Sequence, residues 1–181
     1  ISNEHNPPKV LGERNSNIQA VTSPRSFNVT IIGCGNAAGT YIPPYYIFPG
    51  KRWCQDLLEG TSAGASGGCT ETGWSNMAAF KVYLEHHFLK FAQRPNPLCP
   101  ILLLYDGHKS HTSLFLTEWA KKHNMILFVL PPHTSHLLQP LDVGIFGPFK
   151  RYYNKKCHAY LKANPGSVVT KYQVGKLSNS P

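Results

Sequence analysis

ILLLYDGHKSH, residues 101–111, sets the most apolar run of the chain directly against a polar cluster. Apolar residues without alternation from Ile101 to Tyr105 are the pattern of a strand buried on both faces. Asp106 follows at its carboxyl end. A similar run, MILFVL at 125–130, is halted by Pro131 and Pro132. Between the two runs, Ser113 is placed to cap a helix reaching His123, with Leu116, Trp119 and Ala120 inward. Strand, helix, strand at this spacing predicts two parallel strands of an α/β fold, joined by a helical crossover.

Upstream, the spacing of Met77, Phe80, Leu84, Phe88 and Phe91 predicts a helix over 76–91, stopped by Pro95 and Pro97. Before it, residues 27–34 (FNVTIIGC) and 41–48 (YIPPYYIF) flank a short small-residue turn and predict a hairpin. Pro43 and Pro44 lack the N–H a ladder needs, so the second strand is expected at an edge, or to start late. Residues 60–68, rich in Gly, Ser and Ala without an apolar period, read as a flexible loop. Residues 1–26 read as an irregular leader. Downstream, a last helix is expected over 140–161, kinked or restarted at Gly147-Pro148, with 163–181 as a tail. A single domain covers 1–181.

Composition narrows the function classes. With 41% hydrophobic and 15% charged residues, the chain is too apolar for a disordered segment. No run approaches the ~18 apolar residues a membrane span needs, and no signal peptide is visible. Five cysteines, odd in number and without C-x-x-C, favour free thiols over a disulfide framework or zinc ribbon. Eighteen Lys and Arg oppose nine Asp and Glu, for a net charge of +9. After Asp142 no acid occurs, while seven Lys and Arg follow. A balance this lopsided suggests a polyanionic partner such as nucleic acid, or an anionic membrane surface; a solvated basic face is the plain alternative.

Two acids carry the candidate chemistry. Asp106 ends a central strand, the sheet edge where α/β folds bind ligands; a plain Asp-Gly turn is the competing reading. On a helical projection Asp142 lies within about 60° of Phe146, Phe149, Tyr153, Cys157 and Tyr160, from 3.6 residues per turn. That puts it on the core-facing stripe, where an unpaired carboxylate is costly; a first-turn Asp complementing the helix dipole is the alternative. Arg151, Lys155 and Lys162 fall on the opposite side. Two such carboxylates can share a divalent cation for phosphodiester chemistry, with surrounding bases holding phosphates.

IIGCGNAAGTYIPPYYIFPGKR, ETGW, ILLLYDGHKSH and LPPHTSHLLQPLDVGIFGPFKRYYNK together resemble the DDE-type endonuclease domain of pogo, Tigger and Jerky-like transposases, shared with centromere protein B-like relatives. The resemblance implies an RNase H-like fold, a mixed central sheet flanked by helices, lacking its first strand in this excerpt. It implies a DNA-binding transposase or endonuclease whose three acids bind two Mg²⁺ (or Mn²⁺) ions, Asp106 and Asp142 being the second and third. The first acid, in an Asp-Glu-Thr-Gly motif of relatives, is expected upstream of Ile1, with Glu4 a weak substitute. His108, His111, His136 and Gln139 are candidate accessories, and Lys109, Lys150, Arg151, Lys155 and Lys162 candidate DNA-backbone contacts. Trp53, Trp74 and Trp119 read as core or loop anchors rather than base-stacking platforms. The resemblance further implies a nuclear protein, DNA as partner, possible homodimers and no membrane. A domesticated, non-catalytic nucleic-acid-binding protein is the rival; a zinc hydrolase using His108, His111, His133 and His136 is a third.

Overall fold

The structure, a computed structural model, describes residues 27–92, 94–96, 98–106 and 113–179. Three strands, β1 (Thr30–Gly35), β2 (Tyr41–Pro49) and β3 (Ser66–Thr70), form one sheet in the order β1-β2-β3. A parallel pair, β4 (Ile101–Tyr105) and β5 (Met125–Val129), forms a second. The predicted hairpin is present as antiparallel β1 and β2, and the predicted crossover as the parallel pair.

The prolines do not push β2 to an edge. It is the central strand of its sheet, antiparallel to β1 and parallel to β3. The ladder with β1 shifts register between Ile32, opposite Tyr45, and Cys34, opposite Ile42. That irregularity places Pro43 and Pro44 in the surplus segment, and β3 begins pairing only at Tyr45. Both prolines therefore sit where a missing N–H costs little.

β3 itself corrects the loop expected over 60–68. Its sequence, SGGCT, has little strand propensity. Its glycines suit it to this place for a steric reason. A Cβ on Gly67 would lie 2.4 Å from the Tyr46 carbonyl oxygen, and one on Gly68 3.0 Å from the Tyr45 hydroxyl. Only a bare backbone approaches β2 that closely.

Alternation along β2 builds two cores on opposite faces of the first sheet. Tyr45 and Ile47 face one layer, with Phe80, Tyr83, Leu84, Phe88, Leu116, Trp119 and Met125. Tyr46 and Phe48 face the other, with Leu57, Tyr153, Cys157, Leu161, Val174 and Leu177. The first layer is supplied by a continuous helical segment and by α3 (Leu114–Lys122). That segment comprises α1 (Met77–Tyr83), a π-helical turn (Leu84–Phe88) and α2 (Leu89–Phe91). As predicted, Ser113 caps α3, its side chain accepting from the Leu116 N–H; the cap of α1 is Asn76, accepting from Ala79. The second layer is supplied by α5 (Phe146–Ala163) and α6 (Lys171–Ser178). Helix α6 lies in the stretch read as a tail, where Thr170 and Gln173 form a capping box.

The π-helical turn places His87 in the first core. Buried among Tyr45, Tyr83 and Phe91, it bridges Pro43 and Ser66, at 2.6 Å each. The Pro43 carbonyl only accepts, so Nε2 is the donor and Nδ1 accepts from the Ser66 hydroxyl. Burial depresses the imidazole pKa, in keeping with this neutral tautomer. His87 thus ties the proline segment of β2 to the start of β3.

β4 and β5 depart from expectation on one face. Ile101, Leu103 and Leu127 pack on the α1/α3 layer, but Leu102 (55% exposed), Leu104 (56%), Ile126 (54%) and Phe128 (51%) are open on the other. The unbroken apolar run predicted burial on both faces. Among the described residues α5 and α6 cover β1–β3, and nothing covers this side of β4–β5. Cys34, Cys54, Cys69, Cys99 and Cys157 are free thiols. Among the described residues no helix is long and apolar enough to cross a membrane.

Candidate active site

Asp106 follows Tyr105, the last residue of β4, and is half-buried. The parallel partner strand β5 ends beside it, Tyr105 opposite Val129, and the Leu130 N–H donates to the Tyr105 carbonyl. The chain leaving β5 turns at Pro131 and Pro132 into His133, whose φ of +61° lies in the left-handed region. A non-glycine residue held there stores on the order of 1–3 kcal/mol, a strain that often marks functional turns. Helix α4 (Ser135–Leu138) follows, then a π-helical turn (Leu141–Ile145) that leads into α5.

Asp142 lies in that turn. Its N–H donates to the Gln139 carbonyl at 3.0 Å, and its side chain lines an open depression of about 650 Å³ with His133, Ser135, His136 and Val143. Asp142 is exposed, which corrects the core-facing placement. Projection at 3.6 residues per turn fails across a π-helical turn, whose wider winding changes the angular phase. Leu141 points inward instead: with Phe146 it lies 3.8 Å from where a Cβ on Gly33 of β1 would sit. From there the predicted stripe holds in part, with Tyr153 and Cys157 buried and Phe146, Phe149 and Tyr160 half-buried; Leu161, outside that stripe, is buried as well. An exposed carboxylate needs no buried partner, and it is accessible to a ligand.

Of the other sequence-predicted residues, His136 lines the same depression. Gln139 sits one turn before Asp142, and its buried Oε1 has no hydrogen-bond partner among the described residues. Lys150, Arg151, Lys155 and Lys162 are exposed on α5, as is Lys156, and none forms an ion pair among the described residues. Glu4, His108, Lys109 and His111 lie outside the described residues. Ser135 and Val143 are the lining residues that sequence reasoning missed; neither a lone serine before a histidine nor a valine beside an acid gives a signal. Trp119 is buried as expected, but Trp74 is 62% exposed and Trp53 40%, so the anchor reading fails for Trp74.

Asp142 and Ser135 give the depression oxygen donors of the kind a hard divalent cation takes, while Asp106 and the buried, orphaned amide oxygen of Gln139 are not among its lining residues. The count falls short of a closed site, since no group of three His, Cys, Asp or Glu able to hold a metal occurs among the described residues.

Residues 26–177 match the DDE superfamily endonuclease family, a span that contains Asp106, Asp142 and α5. The chain is also 35% identical, over 153 residues, to a Cochliobolus lunatus protein named MFS-type transporter clz9. That stretch is 82% of this chain and 16% of the relative, so the chain spans a small part of the relative's length. No solved structure matches. Endonucleases of this superfamily are generally dependent on divalent metal, and the chain, an α/β domain with both candidate acids inside the matched span, belongs to the DDE superfamily endonucleases.

Proposed function

We propose that this domain works in a full-length DDE transposase or transposase-derived endonuclease, cutting phosphodiester bonds of DNA and transferring the cut strand. The observation that carries the reading is the position of Asp142. It is exposed in an open depression at the head of α5, whose cations form no ion pair among the described residues. Asp106 and Asp142 would hold Mg²⁺ or Mn²⁺, with at least one further ligand from outside the described residues. When bound, the metal neutralises charge on the phosphate and activates the attacking oxygen. The chain's own residues then divide the work. Asp106 and Asp142 accept the cation, His136 and Gln139 orient the acids or the scissile strand, and α5 grips the backbone.

An RNase H-like sheet fits this use. β1 and β4 are each paired to one strand among the described residues, and the α1/α3 layer covers one face of both sheets. A further strand between β1 and β4 would join the sheets and carry the first acid. Residues 1–181 would then belong to one such domain. Such a protein acts in the nucleus on DNA. The transporter name belongs to the much longer relative and is not carried over. A domesticated descendant that binds nucleic acid without cutting it is the second reading.

Grip is tested apart from chemistry. Changing Arg151, Lys155 and Lys162 together to Gln in the full-length protein is expected to weaken DNA binding without regard to base sequence. Each neutralised phosphate contributes about 0.9 to the slope of log affinity against log salt, so the slope flattens by up to ~2–3. Fluorescence anisotropy across a salt series measures this. Equal affinity of variant and parent at every salt concentration would mean that α5 presents only a solvated face.

A further inference from the structure

The loop after β2 and the turn after β3 meet at one end of the first sheet. The Gly50 N–H donates to the Thr70 carbonyl at 2.8 Å, and the Thr70 hydroxyl to the Trp74 carbonyl at 2.9 Å. The Cys69 thiol donates to the Arg52 carbonyl at 3.4 Å, and Lys171 of α6 donates to the Pro49 carbonyl at 3.1 Å. These bonds bring together Lys51, Arg52 and Trp53 of the loop, Trp74 of the turn, and Lys171 and Tyr172 at the start of α6. Trp74 is 62% exposed, Tyr172 45% and Trp53 40%. Glu71 is the acid on this surface, and its 3.9 Å pair with Lys51 is almost wholly in solvent, so it offsets little of the positive charge.

Trp74 differs from the other tryptophans. Trp119 is buried in the α1/α3 core, and Trp53 leans on Phe48 with ring centroids 6.2 Å apart. The Trp74 ring has no aromatic partner among the described residues, while its backbone is fixed on both sides by the turn. Gly73 is the reason: its Cβ would lie 2.0 Å from the Asn28 carbonyl oxygen, so the turn is pressed onto the strand and the next side chain projects from it. A fixed, solvent-facing indole among cations has the composition of a single-strand nucleic-acid platform, in which bases stack on the ring and cations track the backbone.

We propose that this surface binds unpaired DNA by stacking a base on Trp74, a second contact region apart from the Asp142 depression and α5. The proposal rests on DNA being the partner and names the form of DNA taken here. The test uses the full-length protein without metal, oligo-dT of about 12 nucleotides, within the span single-strand platforms cover, and a duplex of the same length. Oligo-dT should quench indole emission, and Trp74→Ala should remove that quenching. The same variant should weaken oligo-dT binding about 10- to 100-fold, while duplex affinity changes less than about twofold. Trp74→Phe should retain most of the affinity. Undiminished oligo-dT binding by Trp74→Ala would overturn the proposal. So would a Trp74→Ala variant that loses duplex and single strand alike, with Trp74→Phe no better. If the parent binds DNA and the α5 triple variant weakens it while Trp74→Ala does not, only this surface is refuted. If the parent binds no DNA of either form, the functional reading falls with it.

Discussion

Asp142→Asn in the full-length protein is expected to lower Mg²⁺-dependent DNA cleavage by on the order of 10³-fold or more, and Asp106→Asn by a similar factor. The estimate follows from the metal's contribution of several kcal/mol of charge stabilisation, each 1.36 kcal/mol being tenfold in rate. Asn keeps the size and one oxygen of Asp but not the charge that binds a hard cation. The Asp142 side chain is exposed, so its replacement leaves the core intact. Metal-free DNA affinity should stay constant or rise slightly, because a negative charge at the head of a basic helix has gone. Plasmid nicking measures the first effect and anisotropy the second. A variant that keeps more than about a tenth of the parent's rate would remove Asp142 from the metal site, since one tenfold step corresponds to only 1.36 kcal/mol.

Gly73→Ala should unfold the domain more readily than any other single methyl addition among its described glycines. The new Cβ would sit 2.0 Å from the Asn28 carbonyl oxygen and 3.1 Å from Pro49 Cδ, at a φ of +76° that side chains rarely adopt. Gly73 also accepts from both the amide and the hydroxyl of Thr30, at 3.2 and 2.8 Å, fixing where β1 begins. Overpacking against backbone and left-handed strain each cost about 1–3 kcal/mol, so roughly 3 kcal/mol or more is expected together. For a domain of this size that lowers Tm by roughly 6–12 °C. Gly144→Ala is the control, since nothing lies within 4 Å of its Cβ position and its φ is ordinary. Calorimetry of both variants decides it; equal Tm values would mean the turn is not pressed onto β1 as described.

The parts of the fold that were legible in the sequence are those in which one period dominates. Phe80, Leu84 and Phe88 repeat at helical spacing and do lie on one buried face. The runs around Leu103 and Leu127 are adjacent parallel strands. β3 was not legible, because Gly67 and Gly68 were selected for close approach to β2, and close approach leaves no hydrophobic signal. The orientation of Asp142 was hidden by the π-helical turn, which composition does not announce. β2 kept its central place despite Pro43 and Pro44 because a register shift absorbed them. At the site, the types and spacing of Asp106 and Asp142 were readable. The exposure of Trp74 was not, since it depends on a turn held from two strands away.

Diffraction from crystals of the full-length protein soaked in Mn²⁺, with anomalous scattering locating the ion, tests the central claim most directly. The account predicts an ion held at about 2.0–2.6 Å by carboxylate oxygens of both Asp106 and Asp142. The two carboxylates should then stand about 4–8 Å apart, as sharing or bridging at those ligand distances requires. Ordered carboxylates more than about 12 Å apart, too far to share ligands at those distances, with no ion on either, would contradict it.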